Sequence, residues 1–487
     1  MPGRFSKVRS AAIDGRALNS IFRKIQLKQL HDVLSDKATE IQAAISNDTG
    51  HTPAEVQIEY WLGIHRLTQA YAAIDPDKAL HDEYAVSRGQ DVPSRKEAVG
   101  IVVIHPAKHA FFSCLMSALV PALAAGNCVV VQAEQSLLQA PRLVLDLISQ
   151  ALDDDIFEAT HSPITNSDLD HPHIRVLQNG TEANAPHLSN YLLSNPEARI
   201  LAVVERDADI DSAAQELVRA RFALCGRSAY APDLLLVNEW VKKEFLESVV
   251  RHAVRFSSDQ GGKGTQRRNT HQGLLELVKK EQGVNVLSWS STGAIVDVQD
   301  RQSSLLRRKV QESCLLIHAV TSIDDAIDVS RSNGGLGAAY VFTKPAAAKY
   351  ICQFLDCPLS FVNHIPTSLL FMPLAPLNTT INPTTYSPYD ENQFTRPKAS
   401  FVTQPPQETM LAKCLREASP ERVAVLAQEI AAKVPVFKRK HQGITHIGFF
   451  EQGLVTGGVL LLSTVLAVTG FCSYYGFGLI RGGVSNL

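Results

Sequence analysis

The stretch AVGIVVIHPAKHAFFSCLMSALVPALAAGNCVVV, residues 98–131, decides the fold class. The β-branched run at 98–104 predicts a buried strand that a His-Pro pair ends. Residues 111–125 then predict a helix, which a Gly-Asn pair stops, and residues 128–131 predict a second strand. A strand, a helix and a strand at this spacing form a βαβ unit in a parallel sheet. We therefore expect an α/β fold with helices on both faces of the sheet.

Length and composition describe a globular protein with more than one domain. The 487 residues are enough for two or three domains with a sizeable core. Hydrophobic residues make up 45% of the chain and charged residues 20%, which are ordinary values for globular proteins. The net charge of -2 gives no basic surface for a phosphate backbone, so we expect no nucleic-acid partner.

The eight cysteines are spread along the whole chain. None forms a CxxC pair, and their spacings fit neither a zinc site nor a small disulfide framework. We therefore expect reduced thiols and no metal site. The cysteines are Cys114, Cys128, Cys225, Cys314, Cys352, Cys357, Cys414 and Cys472.

The C-terminal region predicts a membrane anchor. Residues 452–480 contain no charged residue and exceed the roughly 20 apolar residues that cross a bilayer; the alternative is a buried core helix. The basic run Lys438-Arg439-Lys440 precedes this segment and only Arg481 follows it, so the positive-inside rule places the globular part in the cytosol. The N-terminus has no apolar stretch typical of a secretory signal. Gly453 and Gly457 form a GxxxG pair, which is weak evidence for a homodimer.

A second stretch, FALCGRSAYAPDLLLV at residues 222–237, resembles the nucleophile segment of the aldehyde dehydrogenase superfamily, in its class 3 or fatty-aldehyde branch. Gly226 stands at the glycine of that family's Gly-Gln-x-Cys turn, and Ala231-Pro232-Asp233 matches the tripeptide that follows. PALAAGNCVVV, at residues 121–131, is the run most similar to the family. The resemblance covers about residues 24–378.

This resemblance implies a Rossmann-like nucleotide-binding domain followed by a second α/β domain of the catalytic type. We expect the first domain, with N-terminal helices, at residues 1–195 and the second at 196–376. An irregular segment and a helix at about 408–432 then fill 377–451, and the transmembrane helix spans 452–480. The polar basic stretch at 259–270 is expected to be a surface loop.

The residues that carry the family's chemistry are replaced in this chain. Ala229 stands at the nucleophilic cysteine, Asn195 at the general-base glutamate and Lys108 at the asparagine that stabilises the oxyanion. An alanine forms no covalent intermediate and an asparagine accepts no proton at neutral pH. Lys108 could equally be a solvated surface lysine. Cys225 is an alternative thiol, but it lies four residues before Ala229 and we expect a buried hydrophobic role for it.

The expected cofactor contacts are also altered. Gln132 stands at the lysine that binds the adenosine ribose, and it brings no charge. Gly180 is the glycine left at the turn that approaches the cofactor phosphate, shifted by about one place. Glu312 stands at a ribose-binding glutamate; a surface or helix-capping role is the alternative. We expect weak binding of NAD or NADP, or none.

Two functions remain open from the sequence. The resemblance implies NAD(P)-dependent oxidation of an aldehyde to a carboxylic acid. With the nucleophile, the base and the oxyanion donor all replaced, the sequence predicts a catalytically impaired or inactive homologue, a pseudoenzyme or accessory protein. The alternative is a functional aldehyde-oxidising oxidoreductase with an altered active site, and only in that case is an aldehyde its substrate.

Overall fold

The computed structural model describes residues 4–90, 92, 95–180, 190–259, 278, 281–289, 293–331, 335–377, 379, 381–382, 384–398, 406–417, 419–430 and 449–484. The chain divides into two compact units, Met1–Phe401 and Val402–Leu487. Most of the predicted surface loop at 259–270 and the basic run Lys438-Arg439-Lys440 lie outside the described residues.

The described part of the first unit alternates between helices and strands. Its helices are α1 (Ser6–Asp14), α2 (Ser20–Asp36), α3 (Ala38–Thr49), α4 (Pro53–Ala73), α5 (Pro76–Ser87), α6 (Phe111–Ala124), α7 (Gln139–Ala151), α8 (Asn166–Leu169), α9 (Ile210–Phe222), α10 (Lys242–Asp259), α11 (Ile323–Arg331) and α12 (Pro345–Phe354). Its strands are β1 (Lys96–Ala98), β2 (Ile101–His105), β3 (Cys128–Gln132), β4 (Phe157–Thr160), β5 (His173–Leu177), β6 (Tyr191–Leu193), β7 (Arg199–Val204), β8 (Leu234–Asn238), β9 (Val284–Trp289), β10 (Ala294–Val298), β11 (Cys314–Val320), β12 (Leu336–Phe342), β13 (Ser360–Val362) and β14 (Thr395–Pro397).

A five-stranded parallel sheet contains the predicted βαβ unit. Its strand order is β4-β3-β2-β5-β6, and β2 pairs with β3 in the register Ile101↔Cys128 to Ile104↔Val131. Both strands are apolar up to their last residues, His105 and Gln132, as expected for a parallel sheet with helices on both faces. Helix α6 is buried on nearly every side, since α4 packs on it from outside the sheet and the ring of Tyr60 stacks on that of Phe112. The α/β expectation is confirmed.

A second sheet of seven strands follows in the order β13-β12-β7-β8-β11-β10-β9. All of its pairs are parallel except β9 with β10. β8 lies inside this sheet, and every residue of it is buried. The two strands β1 and β14 pair separately in an antiparallel ribbon. The chain therefore carries two α/β sheets, and the strand β8 of the second one leads directly out of the turn that contains Ala229.

One predicted strand, at residues 98–104, is two strands in the structure. Gly100 separates β1 from β2 with φ at +127°, a conformation that side chains other than glycine rarely adopt. A Cβ there would lie 2.7 Å from Nε2 of His171. The backbone must approach this histidine closely, so the chain bends at the glycine and β1 pairs with β14 instead of the main sheet.

The second unit is helical in its described residues, with α13 (Pro406–Arg416), α14 (Pro420–Ile430) and α15 (Phe449–Val484). The predicted single helix at 408–432 is two helices because Pro420, which lacks a backbone N–H, begins the second one. Within α15, Gln452–Ser473 has a mean hydropathy of 2.0 and none of it is buried. Among the described helices this is the one long and apolar enough to cross a membrane, by length and composition.

Candidate active site

A strained turn connects α9 to β8 and carries Ala229. Asp209 caps α9 by accepting a hydrogen bond from the backbone N–H of Ser212 (3.1 Å). After α9 the chain kinks at Leu224 and Cys225, which both have left-handed φ values near +50°. Glu55 of α4 holds this kink, because its Oε1 accepts a hydrogen bond from the N–H of Leu224 (2.8 Å). Such strain persists only where the surroundings fix it.

Gly226 lets this turn touch the loop that carries Glu312. Its φ is +73°, and a Cβ at this position would lie 2.3 Å from the carbonyl carbon of Glu312. No side chain fits there without moving the backbone of one segment or the other. The glycine that the family resemblance identified is thus required by a close approach of two backbones.

Asp233 is the centre of a buried charged cluster beneath the turn. Its side chain is fully buried and accepts hydrogen bonds from the N–H of Ile200 (2.7 Å) and the N–H of Val310 (2.9 Å). It also pairs with Nζ of Lys309 (3.0 Å) and with Nη1 of Arg221 (3.4 Å). One carboxylate therefore ties α9, β7 and the loop at 309–310 together.

Arg221, also fully buried, holds the turn from the other side. Its guanidinium donates to the carbonyl oxygens of Gly226, Pro232 (3.2 Å) and Val310 (2.7 Å). Burial lowers the pKa of Arg221, and the charge of Asp233 opposes that shift. Since arginine stays protonated over the physiological range, the cluster holds two cations against the carboxylate of Asp233.

A cavity of about 760 Å³ opens beside the turn. Its wall brings together three of the residues predicted to matter, Lys108, Ala229 and Glu312. Most of the remaining wall is polar, as the following members show: Thr49, His51, His109, Glu134, Gln178, Asn179, Glu197, Arg227, Ser228, Arg308, Lys309 and Gln311. Asn195, Cys225, Gln132 and Gly180 are not among the residues of this wall.

The two replaced polar positions differ in their surroundings. Lys108 is exposed and forms an ion pair with Glu134 (2.9 Å), which follows β3. Asn195 is exposed outside the cavity, and its Oδ1 accepts a hydrogen bond from the N–H of Glu197 (3.2 Å). Glu197 itself lies in the cavity wall. The segment at 195–197 therefore presents a carboxylate to the cavity two residues after the aligned position.

The thiols do not supply a nucleophile to the cavity. Within the described part of the chain no cysteine lines it. Cys225 is partly exposed instead of buried, because the kink at its positive φ turns the backbone outward from the core. Burial raises the pKa of the Cys114 thiol well above its usual range and that of Cys314 to about 12, so both are protonated at neutral pH.

The predicted cofactor residues are placed as follows. Gln132 ends β3, and its Oε1 accepts a hydrogen bond from the N–H of Ile164 (3.0 Å), so its side chain serves the local fold. Gly180 has φ +71°, and a Cβ there would lie 2.4 Å from Cδ of Pro196. Its conformation thus fits a tight contact with the segment after β6. Glu312 is the one of the three that lies in the cavity wall.

Sequence reasoning missed three residues of the wall. Gln178 positions the loop after β2, since its Oε1 accepts from the N–H of Ala107 (3.0 Å) and its Nε2 donates to the carbonyl of Cys114 (2.8 Å). Burial lowers the pKa of His109 to about 4, so its imidazole is neutral. Lys309 ends an Arg-Arg-Lys run, a pattern typical of a solvated surface, and only the tertiary structure shows that it is buried.

Comparison with known proteins agrees with this architecture. The model of the aldehyde dehydrogenase family matches residues 9–374. The chain belongs to the aldehyde dehydrogenase family. Mouse aldehyde dehydrogenase family 3 member A2 is 23% identical over 370 residues, which cover 69% of this chain and 74% of that protein. The rat protein named aldehyde dehydrogenase, dimeric NADP-preferring, is 23% identical over 363 residues, covering 69% and 79%.

Solved structures of the family share the fold. The substrate-bound state of Staphylococcus aureus AldH has a TM-score of 0.66 at 17% identity, covering 85% of this chain and 98% of its own. The glyceraldehyde-3-phosphate dehydrogenase GapN from Methanocaldococcus jannaschii, solved with NADP, has a TM-score of 0.60 at 16% identity, covering 74% and 84%. Together with the family 3 relatives, these confirm the family and fold that the sequence predicted.

Removal of the carboxylate that Arg221 and Lys309 share should destabilise the fold. Asp233→Asn should lower the free energy of unfolding by about 3–5 kcal/mol, because it leaves Arg221 and Lys309 buried beside a neutral amide. Chemical denaturation measures this change. Asp32→Asn is the matched control: Asp32 pairs with Lys28 at an exposed site, and we expect no measurable effect there. Equal, small effects of both substitutions would contradict the role given to Asp233.

Proposed function

We propose that this protein is a membrane-anchored member of the aldehyde dehydrogenase family that has lost NAD(P)-dependent aldehyde oxidation and acts as a pseudoenzyme or accessory protein. One observation carries the proposal: Ala229, which the family resemblance aligns with the nucleophilic cysteine, lies in the wall of a large cavity. Without a thiol, no thiohemiacetal forms there, and removal of a nucleophile alone costs several orders of magnitude in rate.

The other replaced groups support the same proposal. An oxyanion needs a preorganised donor aimed at the developing charge. Lys108 instead pairs with the carboxylate of Glu134 at an exposed position. Asn195 stands outside the cavity wall and cannot act as a base. The first replacement would weaken stabilisation of the oxyanion, and the second would remove the base that activates water.

Weak cofactor binding is part of the proposal. The rat relative is named as NADP-preferring, and the GapN structure contains NADP. In this chain the side-chain oxygen of Gln132 accepts a hydrogen bond from the backbone N–H of Ile164. Glu312, the candidate ribose ligand, lies in the cavity wall. Two of the four cations in the cavity wall are already paired with carboxylates, Lys108 with Glu134 and Lys309 with Asp233. These pairings weaken their attraction for the cofactor phosphates and support the proposal of weak binding.

A second candidate function rests on Glu197. Its carboxylate lies in the cavity wall and could accept a proton from the hydrate of an aldehyde, which would then transfer hydride directly to NAD. That reaction needs no thiol and would make the protein a functional aldehyde-oxidising oxidoreductase. It needs a bound nicotinamide, which the altered cofactor contacts do not favour.

An activity measurement separates the two candidates. Full-length protein in detergent should form no NADH or NADPH above background with medium- or long-chain aldehydes, because Ala229 offers no nucleophile. Absorbance of the reduced cofactor measures this, with Cys225→Ser and Glu197→Gln as paired variants. Turnover that survives Cys225→Ser and is abolished by Glu197→Gln would overturn the proposal in favour of the hydrate mechanism. Turnover abolished by Cys225→Ser would assign a relocated thiol.

The anchor is proposed from the second unit. Gln452–Ser473 has 22 residues, about 33 Å of α-helix, which matches a hydrocarbon core of about 30 Å. Its aliphatic side chains, such as Leu460 and Leu461, are exposed in the described structure. The single-pass orientation, with the globular part cytosolic, rests on the basic residues before the helix. The glycine pair Gly453 and Gly457 leaves an open helix surface, and we propose it as a homodimer contact.

Fractionation tests the anchor. The full-length protein should sediment with membranes and resist carbonate extraction, because the exposed aliphatic helix is stable only in lipid or in a protein contact. A chain ended after Phe450 should be recovered in the soluble fraction. Recovery of the full-length chain as a soluble protein would mean that the helix is covered by protein, and the anchor would be withdrawn.

A further inference from the structure

Lys309 is a buried amine beside the backbone of Ala229, the residue that the family resemblance aligns with the nucleophilic cysteine. Its side chain is only 5% exposed, and the residue forms part of the cavity wall. Nζ lies 2.8 Å from the carbonyl oxygen of Ala229 and 3.0 Å from Oδ2 of Asp233. These two contacts fix the amine at the turn itself.

The surroundings of this amine favour its neutral form more than water does. Burial lowers the pKa of Lys309, and the nearby charge of Arg221 lowers it further. Asp233 and Glu197 oppose these effects, but the net direction is downward. Because Asp233 also pairs with Arg221, its charge is shared between two cations. A desolvated lysine beside a second cation is a known way to obtain a nucleophilic amine.

We propose that Lys309 captures an aldehyde in this cavity as a reversible imine. The ligand class is a small or straight-chain aldehyde whose carbonyl carbon reaches Nζ beside Ala229. This inference rests on the proposed function, since it gives the cavity a role that needs neither thiol nor cofactor. It differs from it in predicting a covalent bond to one named residue.

The chemistry balances within the residues of the cavity. The lone pair of the neutral amine attacks the carbonyl carbon, and the carbonyl oxygen takes up a proton to give a carbinolamine. Loss of one water then gives the imine, and addition of water reverses the reaction. No electrons are gained or lost, so no oxidant is required. Glu197 lies in the same cavity wall, and we assign its carboxylate the role of taking the proton of the ammonium and returning it to the departing hydroxyl.

The alternative is a purely structural role, in which Lys309 serves only as a counter-ion for Asp233. Both roles use the contact between Nζ and Oδ2, but they differ in whether the amine is ever neutral and open to the cavity. A counter-ion keeps its proton and reacts no faster with aldehydes than other lysines. An amine with a lowered pKa is neutral more often at a pH below its pKa, and only the neutral form attacks a carbonyl carbon. Reactivity therefore distinguishes the two roles.

Reductive trapping tests the proposal on the full-length protein in detergent. Octanal and sodium cyanoborohydride at neutral pH should place an octyl group on Lys309, located by peptide mass spectrometry, faster than on Lys108 of the same cavity. Lys309→Arg should lose this modification while that of Lys108 is unchanged. Equal labelling of all lysines, or none on Lys309 in the folded protein, would overturn the proposal. The main result comes from the unsubstituted chain and does not depend on how the variant folds.

The same preparation keeps this proposal separate from the proposed function. Without cyanoborohydride, cofactor reduction is followed by absorbance as above. An octyl group on Lys309 without formation of NADH supports both the imine and the proposed loss of aldehyde oxidation. An octyl group on Lys309 together with formation of NADH contradicts only the proposed loss of oxidation. No adduct and no NADH contradicts only the imine.

Discussion

The structure around the cavity depends on burying one carboxylate between two cations. Asp233 is fully buried and satisfies two backbone N–H groups as well as Arg221 and Lys309. Burying these charges is tolerable only because each is paired and hydrogen-bonded. This cluster fixes the relative positions of α9, β7 and the loop after residue 308. It therefore also fixes the position of the turn that carries Ala229.

The groups that build the turn are different from the groups that would do chemistry on it. Gly226, Arg221 and Asp233 hold the backbone by close approach and by hydrogen bonds to main-chain atoms. None of these contacts involves the side chain at position 229. The backbone geometry of the turn therefore does not depend on which side chain stands at position 229, and Lys309 lies buried in the wall of the adjacent polar cavity.

The sequence predicted the features that short stretches of residues determine, namely strands, helices and the family motif. Apolar runs such as 128–131 and the glycine stop after α6 determine strands and helices, and the tripeptide ending at Asp233 identified the family. The roles of Lys309 and Gln178 were not predictable, because their burial arises from segments more than 60 residues apart. The domain boundaries and the roles given to Asn195 and Lys108 stay predictions, although the structure does bring Lys108 and Ala229 to one cavity.

The central claim is that the family's fold is kept while its cofactor and thiol chemistry are lost. Calorimetric titration of the full-length protein with NAD and with NADP tests it most directly, since every oxidation mechanism of this family needs the nicotinamide bound. We predict dissociation constants weaker than about 1 mM, equivalent to about 4 kcal/mol of binding free energy. Micromolar binding of either cofactor would contradict the account and restore an oxidoreductase function.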